Sequence, residues 1–244
     1  MTSFDSLLAL ARSDPNVLAF WLDGSRGKGL ATAHSDYDCT MIVRAEVLRD
    51  YRARFAGKRN DLDCRVMSLE QFRAHAAWDT AERYDRYNFA HLKAVIDKTG
   101  DAQRLIDEKG RVPADRATAF IDASLDHAIN QIYRARKCLR DGDASAARLE
   151  AAEAIGPILD ALFALNDARL RPYYKYLAWE LARHPPAKLP WAAAEVPGRI
   201  GLLLDAASAS TLRQMLVDLE SFCRANGHGA VFDGWGDALA WMKS

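Results

Sequence analysis

Apolar residues fall in two different rhythms along the chain, and the change of rhythm divides it. Ser3 to Arg12 spaces its apolar positions as an amphipathic helix, stopped by Asp14-Pro15. Val17 to Leu22 is a compact apolar run bounded by Asp23-Gly24, and predicts a buried strand. Asp38 to Val43 and Leu62 to Met67 predict two more strands, with a helix over Ala45 to Phe55 between them. Ser68 with Gln71 three residues on reads as a capping box opening a further helix. Leu92 to Ile96 predicts a fourth strand, Asp97 to Asp101 a turn and cap, and a short helix runs on to Gly110.

Pro113 marks the change, and beyond it every long pattern is helical. Helices are expected over Ala114 to Arg140, Ala144 to Leu170, Tyr173 to Arg183, Arg199 to Ala207 and Ser210 to Ala225, with a last one after Gly236. A proline-rich link holds Pro185, Pro186, Pro190 and Pro197, and Gly227 to Gly236 reads as a glycine-rich loop carrying His228 and Trp235. The expected architecture is an α/β N-terminal domain, a mixed sheet flanked by helices, over residues 1–112. An all-α helical-bundle domain follows over 113–244.

Composition narrows the classes. Half of the 244 residues are apolar and 27% are charged, which is the make-up of a folded globular chain. Lys+Arg and Asp+Glu balance at 33 each, so no net field recruits a nucleic-acid backbone, and nucleic acid is not an expected partner. Cys39, Cys64, Cys138 and Cys223 show no C-x-x-C spacing, which argues against a zinc site or a disulfide framework and for a reducing cytoplasm. The start lacks the pattern of a signal peptide, and no run approaches about 20 apolar residues, so no membrane partner is expected.

The chemistry concentrates in VLAFWLDGSRGKGLATAHSDYDCTMIV, Val17 to Val43. A buried strand leads into Gly24-Ser25, then a short polar segment, then Ser35-Asp36-Tyr37-Asp38 opening the next strand. Side chains two apart in a strand share a face, so Asp36 and Asp38 are expected to point together. Paired carboxylates repel unless a cation lies between them, and Mg²⁺ favours such hard oxygen donors. Glycine at the preceding turn lets backbone approach a bound phosphate. Gly24 to Gly29 has the gap of a P-loop, but Leu30 stands where Lys and Ser/Thr should follow. Gly27-Lys28-Gly29 lacks the third glycine of a dinucleotide fingerprint.

This order of apolar strand, GS, about ten residues, SDxD and a second apolar strand resembles the polymerase-β-like nucleotidyltransferase superfamily. Within it the chain is most similar to small-molecule adenylyltransferases of the aminoglycoside and lincosamide type. The motif covers about thirty residues, and the α/β-then-helical layout extends the likeness over the chain. The resemblance implies transfer of a nucleoside monophosphate, AMP from ATP, to a hydroxyl of a small acceptor such as an aminoglycoside-like antibiotic. It implies two Mg²⁺ ions held by Asp36, Asp38 and a third carboxylate on a neighbouring strand. Asp61 and Asp63 both offer that carboxylate; Asp61 adjoins Asn60 and reads as a turn residue, which favours Asp63. Gly24 and Ser25 would hold the β- and γ-phosphates, with Arg26 and Lys28 as further cations or as solvated turn residues.

The helical domain would bind the acceptor. Its proton acceptor is sought in LEAAEAIGPILDALFALND, among Glu150, Glu153 and Asp160. Glu153 and Asp160 lie seven apart on one helix face, with Gly156 keeping the surface between them open, and Glu153 is preferred, with Glu82 second. Lys175 in RPYYKYLAWEL resembles a family lysine that reaches the triphosphate, although it also fits a lysine stem lying along an aromatic surface. The six histidines show no metal-ligand spacing. A homodimer is compatible with this reading. The rival readings are a nucleotide-binding or toxin–antitoxin-type regulatory module, and nucleotidyl transfer to protein or RNA.

Overall fold

In the computed structural model, which describes residues 3–205 and 207–244, the chain divides into two compact units, Met1–Arg111 and Val112–Ser244. The first holds α1 (Phe4–Ser13), β1 (Val17–Leu22), the single-turn α2 (Gly24–Gly27), β2 (Tyr37–Val43), a 3₁₀ turn at Ala45–Val47 and α3 (Leu48–Phe55). There follow β3 (Gly57–Arg59), β4 (Leu62–Ser68), α4 (Leu69–Ala74), a 3₁₀ helix at Ala81–Phe89, β5 (Ile96–Asp97) and α5 (Asp101–Lys109). The sheet is mixed, in the order β3-β4-β2-β1-β5. β2 and β4 are parallel and the other neighbours antiparallel.

Both faces of this sheet are covered, which is why its strands read as apolar runs rather than as alternating ones. Phe20, Met41, Cys39, Cys64 and Val66 pack with Leu7 and Ala11 of α1 and Tyr51 of α3. Ala19, Trp21 and Ile42 pack on the other face with Phe72 of α4, Phe89, and Leu105 and Ile106 of α5. The helix starts follow the expected capping. Ser3 accepts from the Ser6 amide, and Ser68 and Gln71 close a reciprocal box at α4.

One expectation for this unit is corrected, and one strand was not expected at all. The fourth strand is only Ile96–Asp97 rather than Leu92 to Ile96. His91 takes a left-handed φ of 63°, Leu92 is buried in the helical face, and the Ala94 amide donates to the Gln103 side chain, so the chain meets β1 only at its end. Conversely β3 has no apolar signal at all, since Gly57, Lys58 and Arg59 are exposed; it exists because Asn60 turns the chain back with φ 56° and pairs it with β4.

The second unit is helical throughout: α6 (Ala117–Arg140), α7 (Ala144–Ala164), α8 (Tyr174–Arg183), a 3₁₀ turn (Ala193–Glu195), α9 (Val196–Asp205), α10 (Ala209–Ala225), α11 (Gly229–Asp233) and α12 (Gly236–Lys243). α6 and α7 form a hairpin, turned at Gly142 with φ 84° and restarted by Asp143, whose carboxylate accepts from the Ala146 amide. α7 stops at Ala164 rather than Leu170, because Asp167 and Ala168 adopt left-handed backbone and buried Asn166 bonds to both Leu162 and Lys188 carbonyls. Pro197 belongs to the first turn of α9, where a missing amide costs nothing, rather than to the link. The expected glycine-rich loop contains α11. Among the described residues no helix is long and apolar enough to cross a membrane.

A buried cation braces the covering helices of the first unit. Lys109 donates to the carbonyls of Arg73 (3.0 Å) and His75 (2.5 Å). Burial, helped by the nearby Arg86 cation, lowers its pKa to about 8. Between about pH 8 and the ordinary value of 10.5 the unfolded chain holds a proton that the folded chain lacks, so this group's contribution to stability grows as pH rises through that window. The urea midpoint of the wild type should therefore rise relative to Lys109→Met from about pH 8 to 10; a difference independent of pH would contradict this.

Candidate functional site

The end of β1 and the beginnings of β2 and β4 lie at one edge of the sheet, because β1 runs against the other two. In the parallel ladder Asp38 stands directly opposite Asp63, one position before Cys39 opposite Cys64. Side chains at paired positions share a face, about 4.8 Å apart. Alternation puts Asp38, Thr40 and Ile42 on the side covered by α4 and α5, and the two cysteines on the side of α1 and α3. Asp61 lies outside this arrangement. It is exposed in the β3–β4 turn, where its carbonyl accepts from the Tyr37 amide at 2.6 Å.

Asp36 precedes the strand, so simple alternation does not place it. Its carboxylate is instead paired with Lys58 of β3 at 3.1 Å, and Lys58 stands opposite Asp63 in the antiparallel ladder. The Lys58 ammonium, by hydrogen bond and charge, holds the Asp36 carboxyl below the ordinary carboxylate range. Lys58 is in turn raised, mainly by Asp36 with Asp63 and Asp38 adding to it.

The Gly24-Ser25 segment coils into α2 against these carboxylates. Gly24 has φ +56°, and a Cβ there would lie 2.9 Å from Asp38 Oδ2. A Cβ on Gly27 would meet the Leu22 carbonyl oxygen at 2.2 Å, so only glycine lets the coil sit this close to β1. Ser25 Oγ donates to Ser35 Oγ at 3.0 Å, and Ser35 Oγ also accepts from the Thr32 amide. Arg26 donates to the carbonyls of Ser35 (2.7 Å) and Asp36 (3.0 Å), and its guanidinium stacks 3.7 Å over the Tyr37 ring. Arg26 thus ties the turn to the segment carrying Asp36. Lys28 is not a solvated turn residue: it is buried, and its ammonium bonds the carbonyls of Tyr87, Asn88 and Ala90.

Asp23 was not singled out from sequence, yet it underpins the turn. Its carboxylate accepts from Trp21 Nε1 at 2.8 Å and Thr40 Oγ1 at 2.6 Å, and its amide donates to the Asp38 carbonyl. Burial raises its pKa, against the two donors and Arg65, which lower it. The signal available in sequence was a carboxylate closing a buried strand with Thr40 two residues beyond Asp38 on the same face. Further along that face His75 bridges Glu82 (3.1 Å) and Asp85 (2.9 Å), which engages the second-choice base Glu82 in a local network.

In the helical unit, Glu153 is exposed on α7, where Pro157 has no amide to offer the Glu153 carbonyl. Asp160 is taken by Arg171 at 2.9 Å and Glu150 faces Arg134 at 3.5 Å. The surface at Gly156 is not open as expected, since the Tyr174 hydroxyl and the Arg171 guanidinium lie within 3.7 and 3.9 Å of where a Cβ would be. Lys175 is exposed at the start of α8, its ammonium 4.7 Å over the Tyr176 ring.

No family model matches the chain, and no curated protein matches it. Among solved structures it is similar to a nucleotidyltransferase-like protein from Exiguobacterium sibiricum 255-15, with 10% sequence identity, a TM-score of 0.39, and coverage of 98% of this chain and 87% of the other. At that level the similarity carries no weight for function, which has to rest on the site itself.

Removing the Asp23 carboxylate strands two buried donors. Asp23→Ala should lower stability by about 2–3 kcal/mol in urea denaturation, and Asp23→Asn, which keeps one acceptor oxygen, by less. Equal losses in the two variants would show that Asp23 does not act through these bonds.

Proposed function

We propose that this protein is a metal-dependent nucleotidyltransferase that moves AMP from ATP to a hydroxyl of a small acceptor, an aminoglycoside-like compound being one such acceptor, in the cytoplasm. The observation that carries this reading is the ladder register that sets Asp38 opposite Asp63, with the Gly24 coil packed on Asp38. A glycine-lined turn pressed against adjacent carboxylates suits a phosphate chain with its cation, and little else explains why like charges are stacked there.

Asp36, Asp38 and Asp63 are the residues that would hold Mg²⁺, and their carboxylate oxygens match its preference for hard donors. As they stand, no three His, Cys, Asp or Glu side chains among the described residues converge into a closed ligand group, Asp36 being turned to Lys58. When bound, divalent cations supply charge neutralisation at the phosphates and acidify the acceptor hydroxyl. The chain's own groups do the rest. Gly24 and Ser25 would cradle the β- and γ-phosphates, and Arg26 fixes the Asp36 segment. In the transfer the acceptor oxygen bonds to the α-phosphorus as the bond to pyrophosphate breaks. For the helical unit the resemblance alone supplies the roles, Glu153 as acceptor of the hydroxyl proton and Lys175 as a cation for the triphosphate.

Incubation with ATP, Mg²⁺ and a panel of hydroxylated antibiotics should release pyrophosphate with one acceptor class. Asp38→Ala and Asp63→Asn should each lower that release by about 100-fold or more. ATP binding without release under any acceptor would favour the nucleotide-binding module instead.

The helical residues separate by parameter in the same assay. Lys175→Met should raise KM for ATP about tenfold. Glu153→Gln should lower kcat by about 100-fold or more with KM for ATP unchanged. Wild-type constants in either variant would remove that residue from the scheme.

A further inference from the structure

Edge strand β3 brings a lysine into the carboxylate cluster, and the nucleotidyltransferase reading gives that lysine no role. We infer that Lys58 is the resident cation of this cluster, a tethered ammonium that a divalent ion must displace from Asp36 before Asp36 can join Asp38 and Asp63. This inference rests on the reading of those carboxylates as metal ligands.

Three observations support it. The base of Lys58 is fixed by the β3–β4 ladder directly opposite Asp63, which is itself opposite Asp38, so one row across three strands reads lysine, aspartate, aspartate. The fourth charge, Asp36, is drawn to the lysine at 3.1 Å. The Lys58 side chain is 63% exposed, so it can swing into water and leave the cluster without dragging other structure with it. An ammonium has three donors and no acceptor, and it therefore neutralises carboxylates without bridging them as a metal does. Exchange of one for the other reorganises Asp36 and leaves the ladder intact. A dication arriving alone has to compete with this ammonium. A dication arriving with a triphosphate brings its own anionic oxygens, to which the released lysine can turn, so loading of metal together with nucleotide is favoured.

The test is direct binding of Mn²⁺ to the full chain without nucleotide, read from the electron paramagnetic resonance of the free ion. Placing a dication about 5 Å from an ammonium in water implies roughly a tenfold loss of affinity. Lys58→Met should therefore bind Mn²⁺ about tenfold more tightly than wild type, Lys58→Arg should bind like wild type, and added KCl should narrow the gap. Equal or weaker binding by Lys58→Met, with binding still lost in Asp38→Ala, would overturn the role of Lys58 while leaving the metal site standing. Mn²⁺ binding unaffected by Asp38→Ala, or absent from every protein, would overturn the metal site and this inference with it.

Discussion

Backbone hydrogen bonding between β2 and β4 holds two carboxylates side by side, and that enforced closeness of like charge governs the N-terminal unit. At about 5 Å two such charges repel by about 1 kcal/mol in water, and by about 3 kcal/mol at the effective dielectric of a partly buried site. Neither strand can relieve this by slipping. A shift of one residue would turn Cys39 and Met41, or Cys64 and Val66, out of one core, and with β2 also Ile42 out of the other. The apolar pattern therefore pins the charges in place, and the polar surroundings answer them. Lys58 takes Asp36, and the Gly24 coil packs against the Asp38 carboxylate.

Legibility in the sequence followed the strength of local signals. Val17–Leu22 coincides with the strand expected from its apolar run, and the start of α4 with its capping box, because burial and capping are encoded within a few residues. The mixed sheet with a helical region after it was likewise readable from the change of period. What was not readable depended on residues far apart. The strand Gly57–Arg59 is polar and short, so only its pairing with β4 reveals it. Leu92 and Ala94 are apolar because they pack under helices, and the chain reaches β1 only from the Val95 amide onward. The end of α7 was misplaced by six residues, since Asn166 answers to Lys188 within the proline-rich link.

The candidate site divides the same way. Asp36, Asp38 and the glycine turn stand in one stretch and were read from it; Asp63 was preferred to Asp61 from its neighbours, and the register sets it opposite Asp38. Asp23, Trp21 and Thr40 escaped notice because their meaning is mutual: each is unremarked alone, and together they satisfy a buried carboxylate. Lys28 was left open between a cation at the phosphates and a solvated turn residue for a related reason, since only the fold shows the three carbonyls that close around it. The helical residues Glu153 and Lys175 rest on likeness and on their exposure.

The sheet ends in strands of three and two residues, β3 and β5. Edges this short, one of them carrying Lys58 and Arg59, give another chain almost no ladder to extend. The device that discourages stacking of one molecule on the next also carries the lysine that pairs with Asp36. Resistance to edge pairing and the local charge balance are then served by the same three exposed residues.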